Sequence, residues 1–498
     1  MFVAFALGAV IAYFVYDFVR YVKKFPPGPF PLPVLGNILS LDPNAPHESI
    51  AKYAKTYGPV FTVWIPQPNI VITDYELIKE ALIKEGDNYA GRFRGNIFTL
   101  VSKGNYGMVL SEGNEWKEQR RFALHVLRNF GFGRSLMEDK IMSSTTRLTD
   151  EITQIINDSP SKMAVTDLSW PMQEAIGNII NSMLLGYYFE KDDPRFIELT
   201  KMIAQNFENV RKPALLLVEG YFWLRHIPFT GHMGLDALME NVHRVCKFMT
   251  NEIETHKKEL EDSDEPTDFV NAYLQEMARR KAAGEDMGHF SDWQLLLTML
   301  DIWVAGMETT VTTMKWALLF MVHYPEVQRK VQAELDNVVG RDRHVTMADK
   351  SSLPYTNATI VELQRCANII PFNVQHKVFE ETTLNGLVIP AGATIIPQVH
   401  TVHEDPKLFP NPKKFDPERF LDKAHEKVIN TDHVIPFSLG KRACLGESLA
   451  RMELFLIFST LLQKFEFSTS EGRPLPSLKP KFGITLTPEP YEVQVTMR

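Results

Sequence analysis

The sequence predicts a mainly helical fold with a small β region, tied to a membrane by one N-terminal helix. Three observations predict it. Residues 1–16, MFVAFALGAVIAYFVY, contain no charged side chain. From about residue 115 onward, apolar residues recur with the period of an α-helix. Runs of strand length and strand composition are few: Val60–Trp64, Asn69–Ile72 and a stretch within Thr383–Ile396.

The bulk composition agrees. Of 498 residues, 45% are hydrophobic and 23% charged, which excludes disordered and low-complexity classes. Such a length suggests about three domains or one large one, and can enclose a bulky cofactor. The net charge of -8 argues against a nucleic-acid partner. Three cysteines, Cys246, Cys366 and Cys444, are too few for a disulfide framework and fit a reducing compartment.

The first element is the anchor, residues 1–20. Its apolar run resumes after Asp17 with Phe18 and Val19, and as a helix it reaches roughly 28 Å, one hydrocarbon core. A thin reticulum membrane suits that span. No Lys or Arg precedes it, whereas Arg20, Lys23 and Lys24 follow, which leaves the body in the cytosol. A cleaved signal peptide would carry a basic leader, and none is present. Residues 21–38 form a basic, Pro-rich linker. Five prolines between Pro26 and Pro33 bar a helix and favour a stiff extended spacer, with an SH3-type ligand as the alternative. Residues 39–498 form the body.

Within the body, Leu384-Asn385-Gly386-Leu387 signals a hairpin. The acidic segment 261–265 and Gly284–Gly288 mark exposed linkers around a charged helix. The stretch Pro406–Pro417 has four prolines and no periodicity, so it must pack against something specific.

Ser291 and Gln294 form a capping-box pattern, opening a helix that runs to about His323, before Pro325. It would be roughly 48 Å long and is apolar on several faces, so it belongs in the core. Asp301, Glu308 and Lys315 argue against a second membrane span. Its middle, Ala305 to Thr310, breaks helical preferences. Gly306 costs about 1 kcal/mol against Ala, and Thr309, Thr310, Thr312 and Thr313 are poor helix formers. The Thr309 hydroxyl can bond the Ala305 carbonyl and bend the helix. A weakened mid-core turn marks a site, where Glu308 and Thr309 offer an acid and an alcohol for proton delivery. A satisfied polar kink without chemistry is the plainer alternative.

The strongest local signal is Phe437 to Gly446, FSLGKRACLG. Gly440 and Gly446 permit a tight turn and close approach. Cys444 stands just before a helical run, Glu447–Phe465, with Glu447 and Arg451 as an i,i+4 pair. A thiol there, beside Lys441 and Arg442, is expected to have its pKa lowered toward thiolate. No second cysteine gives zinc or iron–sulfur spacing, and a lone thiolate as single axial ligand points to haem iron. Cys246 and Cys366 read as ordinary reduced side chains.

With those residues in hand, the chain closely resembles the haem-thiolate monooxygenases, the cytochrome P450 superfamily, over essentially its whole length. The cysteine segment fits Phe-x-x-Gly-x-Arg-x-Cys-x-Gly, and Ala305–Thr310 resembles the oxygen-activation motif. Glu362 and Arg365 look like the Glu-x-x-Arg pair, and Pro417-Glu418-Arg419-Phe420 like the segment whose Arg joins it. The anchor, the Pro-rich hinge and WKEQRRF resemble the microsomal animal type, closest to the drug-metabolising family 2 and compatible with an invertebrate source.

The resemblance implies haem b, with Cys444 as iron ligand and with Phe437, Gly446 and Ala305 against the cofactor. It implies Trp116, Arg120, His376 and Arg442 at the haem propionates, with Arg94 a further candidate. Glu308 and Thr309 would be catalytic, and Glu362, Arg365 and Arg419 a structural network. The substrate pocket would draw on Ile97, Phe98, Phe207, Val304, Ala305, Phe372–Val374 and Ile484. The implied reaction inserts one oxygen atom of O2 into a xenobiotic, fatty acid, eicosanoid or steroid. No flavin or iron–sulfur motif is present, so electrons from NADPH would arrive through NADPH–cytochrome P450 reductase, with cytochrome b5 as an optional second donor. Lys117, Arg120, Arg121, Arg128 and Lys441 would form a basic docking face. The apolar stretches 213–218 and 221–224 would dip into the endoplasmic reticulum membrane as a lid. Two rivals stay open: a reductase-independent isomerase or peroxide-driven enzyme, and a non-catalytic haem- or lipid-binding membrane protein.

Overall fold

Helices dominate wherever the sequence repeats with helical period. The computed structural model describes residues 2–130, 135–210, 212–227, 234–260 and 265–498. Among them, two helices are long and apolar enough to cross a membrane, Phe5–Val22 within the anchor and the central helix Asp292–His323. Only the first is exposed along its length; the second runs through the core.

The anchor helix, Phe2–Val22, ends on a cluster of rings. Phe18, Tyr21 and Phe25 all meet Trp64, mostly edge to face. The Pro-rich segment then lies along strand Val60–Ile65 rather than spanning open space. Thr62 donates its N–H to the Pro27 carbonyl at 3.1 Å and its hydroxyl to the Pro26 carbonyl at 2.8 Å. Gly28 is required there, because a Cβ would fall 1.9 Å from the Thr62 carbonyl oxygen.

The largest sheet has five strands in the order 60–65, 67–72, 394–397, 376–377 and 91–92. The pair 67–72 and 394–397 is parallel and the others are antiparallel. The region Thr383–Ile396 therefore splits. Strands 382–384 and 387–389 form a separate hairpin about Asn385-Gly386, both at positive φ, and only 394–397 joins the main sheet. The C-terminal strand Val493–Met497 lies between 163–166 and 465–468.

The central helix packs against helices Ser169–Leu184, Pro354–Ala367 and Glu447–Lys464. Ser291 caps it by accepting the Gln294 N–H at 3.1 Å. The expected box does not close. Gln294 is buried and spends its amide on both backbone groups of Gly107 and on Thr298, where an unpaired loop would otherwise be stranded. The Pro406–Pro417 stretch packs inward, with Phe415 stacked on Phe320 at 4.7 Å. Of the acidic segment 261–265, residues 261–264 lie outside the described residues. Helix Phe269–Ala283, which follows it, ends on Gly284 in the left-handed region.

Candidate functional site

The cysteine loop is held by its own backbone. Cys444 N–H donates to the Phe437 carbonyl at 2.9 Å, Ser438 and Gly440 take positive φ, and a Cβ on Gly440 would strike the Leu82 carbonyl at 1.8 Å. Gly446 then caps helix Glu447–Lys464, and the Phe437 ring carries the Arg451 guanidinium at 4.9 Å. This fold of the loop turns Cys444 into a cavity of about 270 Å³, the main one beneath the central helix. Ala305, Gly306 and Thr309 line it from that helix, and Trp116, Arg120 and Arg442 line it beside the cysteine.

The expected lowering of the thiol pKa is not what the site gives. The Cys444 side chain is open to the cavity, yet the protein crowded around it pushes the thiol up, with Glu447 adding to the rise and the Gly446 N–H and Arg120 offsetting it only in part. Lys441 points away and pairs with Asp87. Arg442 spends its donors on the Ala90 and Ser111 carbonyls, at 2.8 and 2.7 Å, and lies 3.7 Å from the Trp116 ring centre. Proximity in sequence did not place those charges at the sulfur. A thiol in this position becomes a thiolate when a metal binds it.

Around the rim stand buried donors without acceptors. Arg92 and Arg442 are 5% and 6% exposed, and Arg92 Nε and Arg442 Nη1 have no partner. His376, which is not among the residues lining the cavity but pairs with Arg92 in the strand ladder, has Nε2 buried and unpartnered too, while its Nδ1 meets the Tyr89 carbonyl at 2.8 Å. Burial, then repulsion from Arg120, brings Arg92 down to about 9, and burial, then repulsion from Arg92 and Arg120, brings Arg442 to about 8. The His376 pKa falls well below its usual value for the same kinds of reason. Arg120 reaches the Ala443 carbonyl at 2.6 Å, next to the cysteine. Such a set is unfavourable alone and suits a ligand bearing carboxylates. A flat macrocycle with two propionates and a thiolate-ligated metal fits it. Arg92 was missed in the sequence. Its signal is the strand register, which sets Arg92 opposite His376. Arg94, two residues on, instead donates to Asn105 at 2.7 Å.

On the central helix, the Thr309 hydroxyl bonds the Ala305 carbonyl at 2.6 Å, as the sequence suggested. Gly306 is packed so closely that a Cβ would meet Ile180 at 2.6 Å. Glu308, however, faces a different cavity of about 220 Å³ with Lys481 and Thr485. Its carboxylate accepts weakly from Thr312 and Thr485, both at 3.4 Å, and burial raises its pKa while Lys315 opposes this. The acid and the alcohol are thus neighbours in sequence on two sides of one turn. Asp301, one turn before Ala305, was read only as an interruption. It accepts the Met108 and Val109 N–H groups at 2.6 and 2.9 Å, holds their loop over the main cavity, and is pushed up to about 6 by burial.

Glu362 and Arg365 form a bidentate pair at 2.7 and 2.8 Å, with neither side chain exposed. Arg419 adds a bond to Glu362 at 3.1 Å, and the Asp416 N–H another at 2.9 Å. Arg365 also donates to the His403 carbonyl at 2.8 Å.

The expected pocket residues are spread over several places. Ala305 and Val374 line the main cavity, together with Ile302, Ile369 and Ile370, which were not anticipated. Phe207 and Ile484 line the second cavity with Glu308. Val304 is half-buried against the helical core, and Phe372 packs on His47 and Phe482. Ile97 packs against the cluster of Leu215 and Val218, and Phe98 is half-buried beside it on helix Asn96–Ser102. Neither of these last two residues lines either cavity.

Two surfaces flank the site. Lys117, Arg121, His125, Arg128 and Lys441 border a shallow hollow behind the cysteine loop, with Trp116 and Arg120 as its inner edge. Elsewhere, helix Pro213–Gly220 and the turn Phe222–His226 leave Leu216, Trp223 and Ile227 exposed. The Tyr221 hydroxyl ties them to the Val34 carbonyl, beside exposed Phe30 and Leu32.

The cytochrome P450 family model matches residues 26–495. Rat cytochrome P450 2C23 is 37% identical, over 95% of this chain and 94% of its own. Human cytochrome P450 2J2 is 38% identical, over 97% and 93%. The Caenorhabditis elegans protein named probable cytochrome P450 CYP36A1 is 33% identical, over 99% and 98%.

Proposed function

Since the chain belongs to the cytochrome P450 family, and so is a monooxygenase with haem b as cofactor, we propose that Cys444 would hold its haem iron and that Thr309 would serve the reacting oxygen from the central helix. The observation that carries this is one cavity walled by Cys444, by Thr309 and by the buried, unpartnered donors of Arg92 and Arg442. Bound haem supplies O2 activation with electrons that derive from NADPH.

The chain's residues do the rest. Cys444 would hold the iron, and Trp116, Arg120, Arg92, His376 and Arg442 would hold the propionates. Ala305 and Gly306 let the ring approach the helix. The Thr309 hydroxyl carries a proton at Oγ. Glu308, on the second cavity, is placed to exchange protons with solvent on that side of the helix. Ile302, Ile369, Ile370 and Val374 give a lipophilic substrate an apolar, water-excluding wall. Glu362, Arg365 and Arg419 brace the fold behind the cysteine loop.

NADPH–cytochrome P450 reductase docks on the hollow of Lys117, Arg121, Arg128 and Lys441, where basic charge meets an acidic partner. Cytochrome b5 would use the same face. The anchor helix fixes the protein in the endoplasmic reticulum membrane with the body in the cytosol. Leu216, Trp223 and Ile227 rest in the bilayer, so that lipophilic substrates enter from it.

The test is turnover of a lipid and drug panel by the full chain with purified reductase. Product that requires NADPH and reductase, and vanishes in Cys444→Ser, supports the reading. Product made without reductase would favour an isomerase or peroxide-driven enzyme, and haem binding with no product at all a non-catalytic role.

A further inference from the structure

Glu453 is an acid where none is expected. It lies on helix Glu447–Lys464, behind the cysteine loop, in a stretch buried from Met452 to Gln463. It is 1% exposed. Thr310, the residue after Thr309, is 3% exposed and donates its hydroxyl to Glu453 Oε2 at 3.0 Å. Both side chains stand at the wall of the main cavity. The other carboxyl oxygen, Oε1, is buried without a partner.

We propose that Glu453 is a positioning residue that fastens Thr310, and with it the Thr309 turn of the central helix, to the helix behind the cysteine loop. The proposal rests on the monooxygenase reading and adds to it a tether between the oxygen-handling side and the thiolate side.

The turn needs fastening from outside. The Thr309 hydroxyl takes the Ala305 carbonyl, and the Thr313 hydroxyl takes the Thr309 carbonyl at 2.8 Å. Both carbonyls belong to the helix ladder, and sharing them loosens and bends it. Gly306 removes a Cβ from the same turn. Thr310 alone of the threonines in this turn sends its hydroxyl to another helix.

The tether is a neutral acid rather than an ion. Among the described residues no cation forms an ion pair with it, and the unpartnered Nη1 of Arg442 belongs to the guanidinium beside Trp116. Arg451 on its own helix is bound to Glu447, Arg365 on helix Pro354–Ala367 is bound to Glu362, and Lys315 lies near Glu308. Burial pushes the Glu453 carboxyl up to about 8, so it keeps its proton at neutral pH. A neutral acid presents Thr310 with a carbonyl-type acceptor. An amide of the same shape does the same, whereas an apolar side chain does not.

The experiment compares Glu453→Gln, Glu453→Met and Thr310→Val with the wild type, as full-length haem-loaded proteins. Hydrogen exchange of the backbone amides around residues 305–313 is read first. Peroxide released per NADPH consumed, normalised to thiolate-ligated haem from the reduced carbon monoxide spectrum, is read second. Glu453→Met and Thr310→Val should speed exchange and raise peroxide release about two- to tenfold, the range that loss of one hydrogen bond commands. The double variant should be no worse than either single one. Glu453→Gln should match the wild type in both readouts. Wild-type exchange and coupling in Glu453→Met or Thr310→Val would overturn the tether, as would a Gln variant as impaired as the Met variant. Should Glu453→Met fail to retain haem, Thr310→Val decides, with Thr310→Ser expected to restore the wild-type values. A wild type that makes no NADPH-dependent product would instead strike the monooxygenase reading, and the exchange data would still judge the tether.

Discussion

Arg92 and His376 stand opposite one another in the ladder of strands 91–92 and 376–377, and each keeps one buried nitrogen without a partner. The two are brought together from distant parts of the chain. Their unmet donors, with those of Arg442, are what the haem propionates would satisfy. Replacing Arg92 by Met removes one charge-assisted bond, typically 1.5–3 kcal/mol. We expect haem loss to an excess of acceptor protein to quicken by roughly tenfold or more. An unchanged rate of loss would remove Arg92 from the propionate site.

Thr309→Ala should leave haem binding intact and uncouple the reaction. The wild-type hydroxyl stays at the cavity wall because the Ala305 carbonyl holds it at 2.6 Å. Thr309→Ser keeps that bond and should stay coupled. The measurement is peroxide per NADPH, expected to rise several-fold in the Ala variant alone. Equal coupling in all three proteins would count against the assigned role.

What was legible in the sequence was local. Gly440, the Ser291 cap and the i,i+3 spacing of Glu362 and Arg365 are read within a few residues, and each has the local geometry expected, whereas Gly446 has an ordinary φ of -88° and open space where a Cβ would stand. What escaped depends on tertiary placement. Consecutive residues on a helix diverge by about 100°, so Glu308 and Thr309 open onto different cavities although they adjoin. Lys441 and Arg442 adjoin Cys444 in sequence, yet their long stems carry the charges to Asp87 and to two carbonyls. Arg92 becomes visible only once the strands pair.

The Glu362 network predicts a stability defect rather than a chemical one. Glu362→Ala would leave Arg365, fully buried, without its bidentate partner, and would free Arg419 and the Asp416 N–H as well. Removing one member of a buried pair costs about 3–5 kcal/mol. The variant should melt well below the wild type and accumulate as haem-free protein. Any fraction that keeps haem should turn over normally. A stable variant with slow chemistry would contradict this.

The exposed ring of Trp223 and its neighbours makes a separate prediction. In a protein lacking residues 1–20, Trp223→Glu with Leu216→Glu should lower vesicle binding by roughly tenfold or more, since two apolar contacts are replaced by charges at the interface. Flotation with neutral vesicles measures it. Equal binding by both proteins would leave the anchor helix as the membrane contact that matters.

Glu453 also predicts how stability varies with pH. Its carboxyl titrates near 8 when folded, against an ordinary value of 4.5. Below pH 4.5 both states hold the proton and the group is neutral in its effect. Between 4.5 and 8 the unfolded chain has released the proton and the folded chain has not. The folded state therefore binds more protons, and stability falls as pH rises, by up to about 1.4 kcal/mol per pH unit for this group. Above 8 both states are ionised and the fall levels off. Glu453→Gln has no such proton to lose. Denaturant unfolding of the two proteins should therefore diverge steadily from pH 5 to 8, with the Gln variant gaining on the wild type. Parallel curves over that range would mean that the buried carboxyl is already ionised at neutral pH, and that the bond from Thr310 is made to a charge.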